Sequence, residues 1–234
     1  MSQLETLLER LQKFYGPLPS PPTDPFQLFV WEIMSGHSTP RKRDAALAAL
    51  KKIPALTPDA MWRAPQKKLE AAVAAAGPYT EQRLLALRKG IDHFRRAPDL
   101  PKTIRGPLKA ALKALKGLPQ MGEAGGYRML LFAADHPVLP VDARLSRVAK
   151  RLGYGSGDHT SWPALARSTR EAVARDLPAE TAVYRRAYLY LSHHGGATCT
   201  EADPHCRVCP LRRDCPAFQN SAASAPKALR RATP

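Results

Sequence analysis

The segment PLKAALKALKGLPQMGEAGGYRMLLFAAD, residues 107–135, reads as two helices with almost nothing between them. Alanine and leucine recur at helical spacing over 107–116, and apolar residues resume that period over 123–135. The six residues 117–122 leave room only for a tight hairpin, and their Gly and Pro residues interrupt both helices.

The helical pattern extends outward in both directions. Upstream, Ser2 and Glu5 make a capping box ahead of Leu4, Leu7, Leu8 and Leu11, which share one face, and Gly16-Pro17 ends that helix. A Pro-rich connector over 18–25 leads to a helix opened by Pro25 and carrying Phe26, Phe29, Val30, Ile33 and Met34. Thr39-Pro40, Thr57-Pro58 and Ala64-Pro65 each open another helix, and Thr80 is expected to cap a long one through Leu84, Leu87 and Ile91. Downstream, residues 136–141 read as extended and 142–152 as helical. A turn with Gly153, Gly155 and Gly157 follows, then helices over 162–175 and 179–193. The 23 prolines fall mostly between these stretches, so they punctuate helices and do not argue for disorder. Strand-forming stretches are hard to find and no internal repeat occurs. The expected class is all-α.

A chain of 234 residues suits one large or two small domains, and a hydrophobic fraction of 44% supplies a core, which excludes a disordered chain. No apolar run approaches the roughly 18–20 residues of a membrane span. The first residues, MSQLETLLERLQKF, place acids among the leucines, unlike a secretory signal, so a cytoplasmic protein is expected. Lys plus Arg number 36 against 20 Asp plus Glu, a net charge of +16. That balance points to a polyanionic partner, nucleic acid first, with a basic surface kept for solubility as the bland reading.

All four cysteines lie in one 17-residue span, Cys199-x6-Cys206-x2-Cys209-x5-Cys215. Core packing does not explain such clustering, and a reducing compartment disfavours disulfides. Zinc is the competing ligand, although zinc sites usually pair two short Cys knuckles and only one is present. Four thiolates on a compact loop suit a [4Fe–4S] cube, with Arg207, Arg212 and Arg213 in the loop to offset its negative charge.

This spacing, after a helix ending in His194-Gly195, resembles the cluster loop of endonuclease III, a helix-hairpin-helix DNA glycosylase. Leu118-Pro119-Gln120-Met121-Gly122 is similar to the family's L-P-G-V-G hairpin. Val141-Asp142-Ala143-Arg144 through Arg147-Val148 is similar to its V-D-x-x-x-x-R-V segment, and Met34 to Thr39 to its L-S-x-Q-x-T. The matches run in the family's order from about residue 30 to 215. The resemblance implies two helical domains flanking a DNA-binding cleft. One is a helical barrel over 22–137 with the hairpin at 117–122. The other is a cluster domain built from 1–21 and 138–215. Residues 216–234, rich in Ala, Ser and Lys/Arg, are expected to form a basic flexible tail.

The resemblance also assigns chemistry. Base excision breaks an N-glycosidic bond through a transition state with oxocarbenium character, which a carboxylate stabilises. The family places that carboxylate where this chain has Asp142, which also reads as a plain N-cap. The hairpin presents backbone N–H groups to a phosphate, implicating Gln120 and Gly122, with Lys109, Lys113 and Lys116 as further phosphate contacts or simply a solvated face. Gln120 replaces the family's first glycine; a positive φ there costs a Gln roughly 1–2 kcal/mol. His37 stands where the family commonly has a Gln that fills the gap left by an extruded base; a surface turn histidine is the alternative. The lyase lysine of bifunctional members falls 18 residues before the Asp, at Ala124, and no lysine occurs over 117–149. Without an amine no Schiff base forms. Gly125-Gly126 beside it reads as a widened pocket or a close backbone approach.

The expectation is therefore an all-α iron–sulfur DNA glycosylase, monofunctional and monomeric, working in the cytoplasm on the nucleoid. Its partner is double-stranded DNA with a damaged or mismatched base. The other reading is a non-catalytic binder of damaged or abasic DNA.

Overall fold

The computed structural model describes residues 2–53, 56–155 and 161–224. Its helices are α1 (Gln3–Tyr15), α2 (Pro25–Ser35), α3 (Pro40–Leu50), α4 (Pro58–Arg63), α5 (Gln66–Ala74), α6 (Thr80–Arg96), α7 (Leu100–Thr103), α8 (Leu108–Leu115), α9 (Gly122–Ala133), α10 (Ala143–Arg151), α11 (Trp162–Asp176), α12 (Thr181–Ala197) and α13 (Pro216–Ser224). No strand occurs among the described residues. The chain is all-α, and it divides into two compact units, residues 21–138 and residues 1–20 with 139–234.

In the unit of residues 21–138, α2 lies against α3, α6 and α9. Asp24 caps α2 by accepting from the Gln27 N–H, and Pro25 sits in its first turn. The helix is buried along most of its length, which explains its continuous apolar run. Phe26, Phe29 and Phe94 pack as an aromatic cluster, with ring centroids 5.2–6.4 Å apart. Gly90 on α6 exists for this cluster: a Cβ there would lie 2.0 Å from the Phe29 ring. Gly90→Ala is expected to destabilise the protein by about 1–3 kcal/mol, despite the helix-propensity gain, because a filled core resists even one methyl. Thermal unfolding of the variant checks this; an unchanged midpoint would show that Phe29 has room to move.

In the other unit, α1 buries Leu4, Leu7, Leu8 and Leu11 and packs on α11 and α12. Its capping box forms as the sequence predicts, Ser2 and Glu5 each satisfying the other's backbone N–H. The Asp176 carboxylate accepts from the Leu4 N–H at 2.8 Å, joining α11 to the first turn of α1. Helix α10 packs on α11, α12 and α13.

Three expectations change. Residues 216–224 are not a flexible tail: they form α13, which packs on α10, while residues 225–234 lie outside the described residues. Thr80 is not the cap of α6. Tyr79 holds the N-cap position at φ +66° with no side-chain hydrogen bond to the helix, and Thr80 begins the helix itself. Gly157 of the Gly-rich turn lies outside the described residues, whereas Gly153 and Gly155 adopt φ of +89° and +92°.

Candidate functional site

The hairpin runs from α8 to α9. Gln120 and Gly122 both adopt left-handed backbone, φ +58° and +51°. The substituted glycine position therefore does demand positive φ, and Gln120 bears the strain. Helix α9 starts at Gly122 without a side-chain cap hydrogen bond, and Glu123 places a carboxylate in its first turn. Lys109 and Lys113 on α8 and Lys116 just after it are exposed and, with Leu112, Gly122 and Tyr127, line a groove of about 710 Å³ between the hairpin helices.

The two adjacent glycines of α9 have different surroundings. A Cβ at Gly125 would make ordinary contact, 3.4 Å, with the Glu32 carboxylate oxygen Oε2, so no close backbone approach requires the glycine there. At Gly126 a Cβ would meet nothing within 4 Å. Arg128 of α9 holds Glu32 in a bidentate pair along one guanidinium edge, Nε to Oε1 at 2.5 Å and Nη2 to Oε2 at 2.6 Å, bracing the second hairpin helix against α2. Ala124, which the resemblance aligns with the lyase lysine, is half-buried.

His37 and Gln120 share one hollow. With Gly36, Tyr79, Gln82 and Arg83 they line a hollow of about 450 Å³. His37 (φ +48°), Tyr79 and Gln120 are three of the four non-glycine residues with positive φ among those described. The rings of His37 and Tyr79 lie 5.1 Å apart. Beneath them the buried Arg83 donates to the carbonyls of Ile33, Gly36, Gly77 and Pro78. That guanidinium ties the turn after α2 to the turn before α6, which over-determines the strained backbone. Tyr79 and Arg83 are missing from the sequence reading. The available signal is an arginine in register with Ala86, Leu87 and Ile91 on an apolar helix face.

In the second unit Asp142 is the N-cap of α10, its Oδ1 accepting from the Leu145 N–H at 2.8 Å. Its Oδ2 accepts from Ser192 Oγ at 2.7 Å and from the Tyr188 hydroxyl at 3.4 Å. Both donors lie on one face of α12, four residues apart, and the sequence reading missed them. They reach Asp142 because α12 crosses close to α10: a Cβ at Gly195 would sit 2.7 Å from the Arg144 carbonyl oxygen. Asp142 is half-buried, its carboxylate held from two sides.

Helix α10 also holds the cysteine loop. Arg147 donates to the carbonyls of Gly195 (2.5 Å) and Cys199 (3.0 Å), closing the C-terminus of α12. Arg151, one turn on, donates to Cys199 Sγ at 3.1 Å and to the Thr200 carbonyl at 2.6 Å. Cys199, Cys206, Cys209 and Cys215 are all free thiols and line a single cavity of about 180 Å³, together with Arg151, His194, Arg212 and Phe218. Among the described residues no group of three His, Cys, Asp or Glu side chains could hold a metal ion. Burial pushes the Cys209 thiol up to about 11, with the charges of the other three cysteines adding to it, and raises Cys206 for the same reasons. Of the loop arginines Arg212 lines the cavity; the guanidinium that touches a sulfur belongs to Arg151, outside the loop.

No family model matches the chain. It is 28% identical over 196 residues to endonuclease III of Treponema pallidum (strain Nichols), covering 81% of this chain and 82% of that protein. It is 25% identical over 224 residues to the chloroplastic endonuclease III homolog 1 of Arabidopsis thaliana, covering 90% of this chain and about half (54%) of the plant protein. Among solved structures, a non-covalent endonuclease III–DNA complex superposes with a TM-score of 0.74 at 19% identity, covering 95% of this chain and 98% of that one. A thermostable thymine-DNA glycosylase gives 0.69 at 18% identity, covering 92% and 96%. In sequence the chain is similar to endonuclease III, and it shares its all-helical fold with the endonuclease III–DNA complex and the thymine-DNA glycosylase.

Proposed function

We propose that this protein is a base-excision DNA glycosylase that hydrolyses the N-glycosidic bond of a damaged or mismatched base without lyase chemistry. The observation that carries the reading is the pairing of a doubly held Asp142 carboxylate with Ala124 at the position of the lyase lysine. As sugar C1′ gains positive charge, the fixed carboxylate stabilises it and orients the attacking water. The water oxygen bonds to C1′, the base leaves with the bonding pair, and the water's proton passes to Asp142 or the departing base. Extrusion of the nucleotide from the stack precedes this step.

Duplex binding is assigned to Gln120, Gly122, Lys109, Lys113 and Lys116 at the hairpin and to His37 at its hollow, supported by their shared grooves and the +16 charge. The endonuclease III structures titled as DNA complexes support the same partner. No helix among the described residues is long and apolar enough to cross a membrane. We assign the protein to the nucleoid as a monomer. The four sulfurs of Cys199, Cys206, Cys209 and Cys215 line one cavity, a donor set suited to a [4Fe–4S] cube with one sulfur per iron rather than to a single ion, and Arg151 would offset negative charge there. When bound, the cube supplies a one-electron redox centre and a cross-link for the loop.

The test is a panel of duplexes with single defined lesions, run with and without alkali and with borohydride. Strand scission is expected only after alkali, with negligible borohydride-trapped adduct, and Ala124→Lys is expected to gain an adduct. Strong trapping by the wild type would overturn the monofunctional assignment. Binding to lesions without scission after alkali would favour the non-catalytic binder, for which the missing lysine is the supporting observation.

A further inference from the structure

The C-terminus of α12 contains a buried polar chain that base removal does not use. His194 is 2% exposed, and its Nε2 faces Cys209 Sγ at 3.6 Å. Its Nδ1 lies 2.7 Å from the Tyr15 hydroxyl, which lies 2.6 Å from Thr198 Oγ1. Thr198 is 6% exposed. The His194 carbonyl accepts from the N–H groups of both Thr198 and Cys199, so the turn leading into the first cysteine also fixes the imidazole. Tyr15 is the last residue of α1, and the Tyr190 hydroxyl donates to the next carbonyl, Gly16, at 2.8 Å. Residues from three parts of the sequence thus converge on one sulfur.

Hydrogen-bond direction follows from the acceptor at the end. A cysteine sulfur bound to iron is a thiolate and can only accept. Nε2 then carries the hydrogen and donates to Cys209, which leaves Nδ1 as an acceptor. The Tyr15 hydroxyl donates to Nδ1, and its oxygen accepts from Thr198. Each donor polarises the next, so removing an outer hydroxyl weakens the bond to sulfur without touching it.

We propose that Tyr15 and His194 are positioning residues for the cluster, which set its one-electron reduction potential through a hydrogen bond to Cys209. The proposal rests on the assignment of a cluster to the four cysteines. A donor aimed at a ligating sulfur withdraws electron density and favours the reduced, more negative cluster, so the chain raises the potential. Arg151 acts on Cys199 separately and is left intact in the test.

Iron content is measured first, on anaerobically purified wild type, Tyr15→Phe, His194→Gln and His194→Leu. Wild type without iron would overturn the cluster assignment itself, a failure distinct from that of the tuning. Potentials follow by redox titration against an electrode with mediators. With iron retained, Tyr15→Phe is expected to raise the oxidised-to-reduced ratio at fixed poise about three- to tenfold, roughly 30–60 mV downward for one electron. His194→Gln keeps an N–H near Nε2 and is expected to stay near wild type. In the His194→Leu background Tyr15→Phe is expected to have no further effect, as a relay through His194 requires. A Tyr15→Phe protein with full iron and an unchanged potential would overturn the proposal. So would an equal shift from Tyr15→Phe in the presence and absence of His194.

Discussion

Asp142→Asn is expected to bind duplex DNA as the wild type does and to release base about 10²–10³-fold more slowly, the loss typical of a transition-state electrostatic partner. The substitution separates the two roles of this residue. The amide oxygen can still accept from the Leu145 N–H, so the α10 cap and the fold survive at a cost of a few tenths to about 1 kcal/mol. The amide nitrogen replaces the oxygen that accepts from Ser192 and Tyr188, and their hydroxyls can rotate to accept from it. What disappears is the negative charge that C1′ needs. Single-turnover kinetics with a parallel binding isotherm measures this, and equal rates would reduce Asp142 to a helix cap. Ser192→Ala is the informative companion: it leaves the charge but frees one oxygen, so a smaller fall is expected.

Cys206→Ser is expected to reduce bound iron from about four per chain to a small residue and to destabilise the unit that contains α10 and α12. The oxygen is a poorer ligand for iron than the thiolate, and the loop has little else to fold around. Its internal backbone hydrogen bonds are mostly short turns, such as Cys206 N–H to the Pro204 carbonyl at 2.8 Å, with one longer closure from the His205 N–H to the Thr198 carbonyl at 2.9 Å. The half-buried thiols of Cys206 and Cys209 line the cavity with Val148, Leu152 and Phe218, so the side of the loop that faces it holds few polar partners. Metal analysis and thermal unfolding read the two effects. Wild-type protein prepared without air that holds one zinc and no iron would contradict the cluster.

Local signals account for most of the helices. Caps and prolines mark where α1, α2, α3 and α4 begin, because the first-turn N–H groups need side-chain partners and Ser2, Asp24, Thr39 and Thr57 supply them. The hairpin was legible from Gly, Pro and its brevity, and the strain at Gln120 from the substitution alone. Helix α13 was not legible. Its sequence, PAFQNSAAS, is short and lacks an apolar period, and what orders it is tertiary: packing on α10 and the Phe218 ring in the cysteine cavity. The same holds at the site. Asp142 could be found because it caps a helix within a recognisable motif, but Ser192 and Tyr188 lie 50 and 46 residues away and matter only through the α10–α12 crossing. Arg147 and Arg151 could be seen as a helical pair, whereas their carbonyl partners lie about 50 residues on. Gly125 and Gly126 read identically in sequence, yet a Cβ would touch the Glu32 side chain at the first and meet nothing within 4 Å at the second.

Direct chromatography of the freed base, under single-turnover conditions on a cleavable lesion duplex, tests the central claim most closely. The wild type should release free base in proportion to enzyme, and leave an abasic strand that is intact until alkali is added. Asp142→Asn should release little at equal DNA occupancy. Full occupancy of lesion DNA by the wild type with every base still attached would contradict the account.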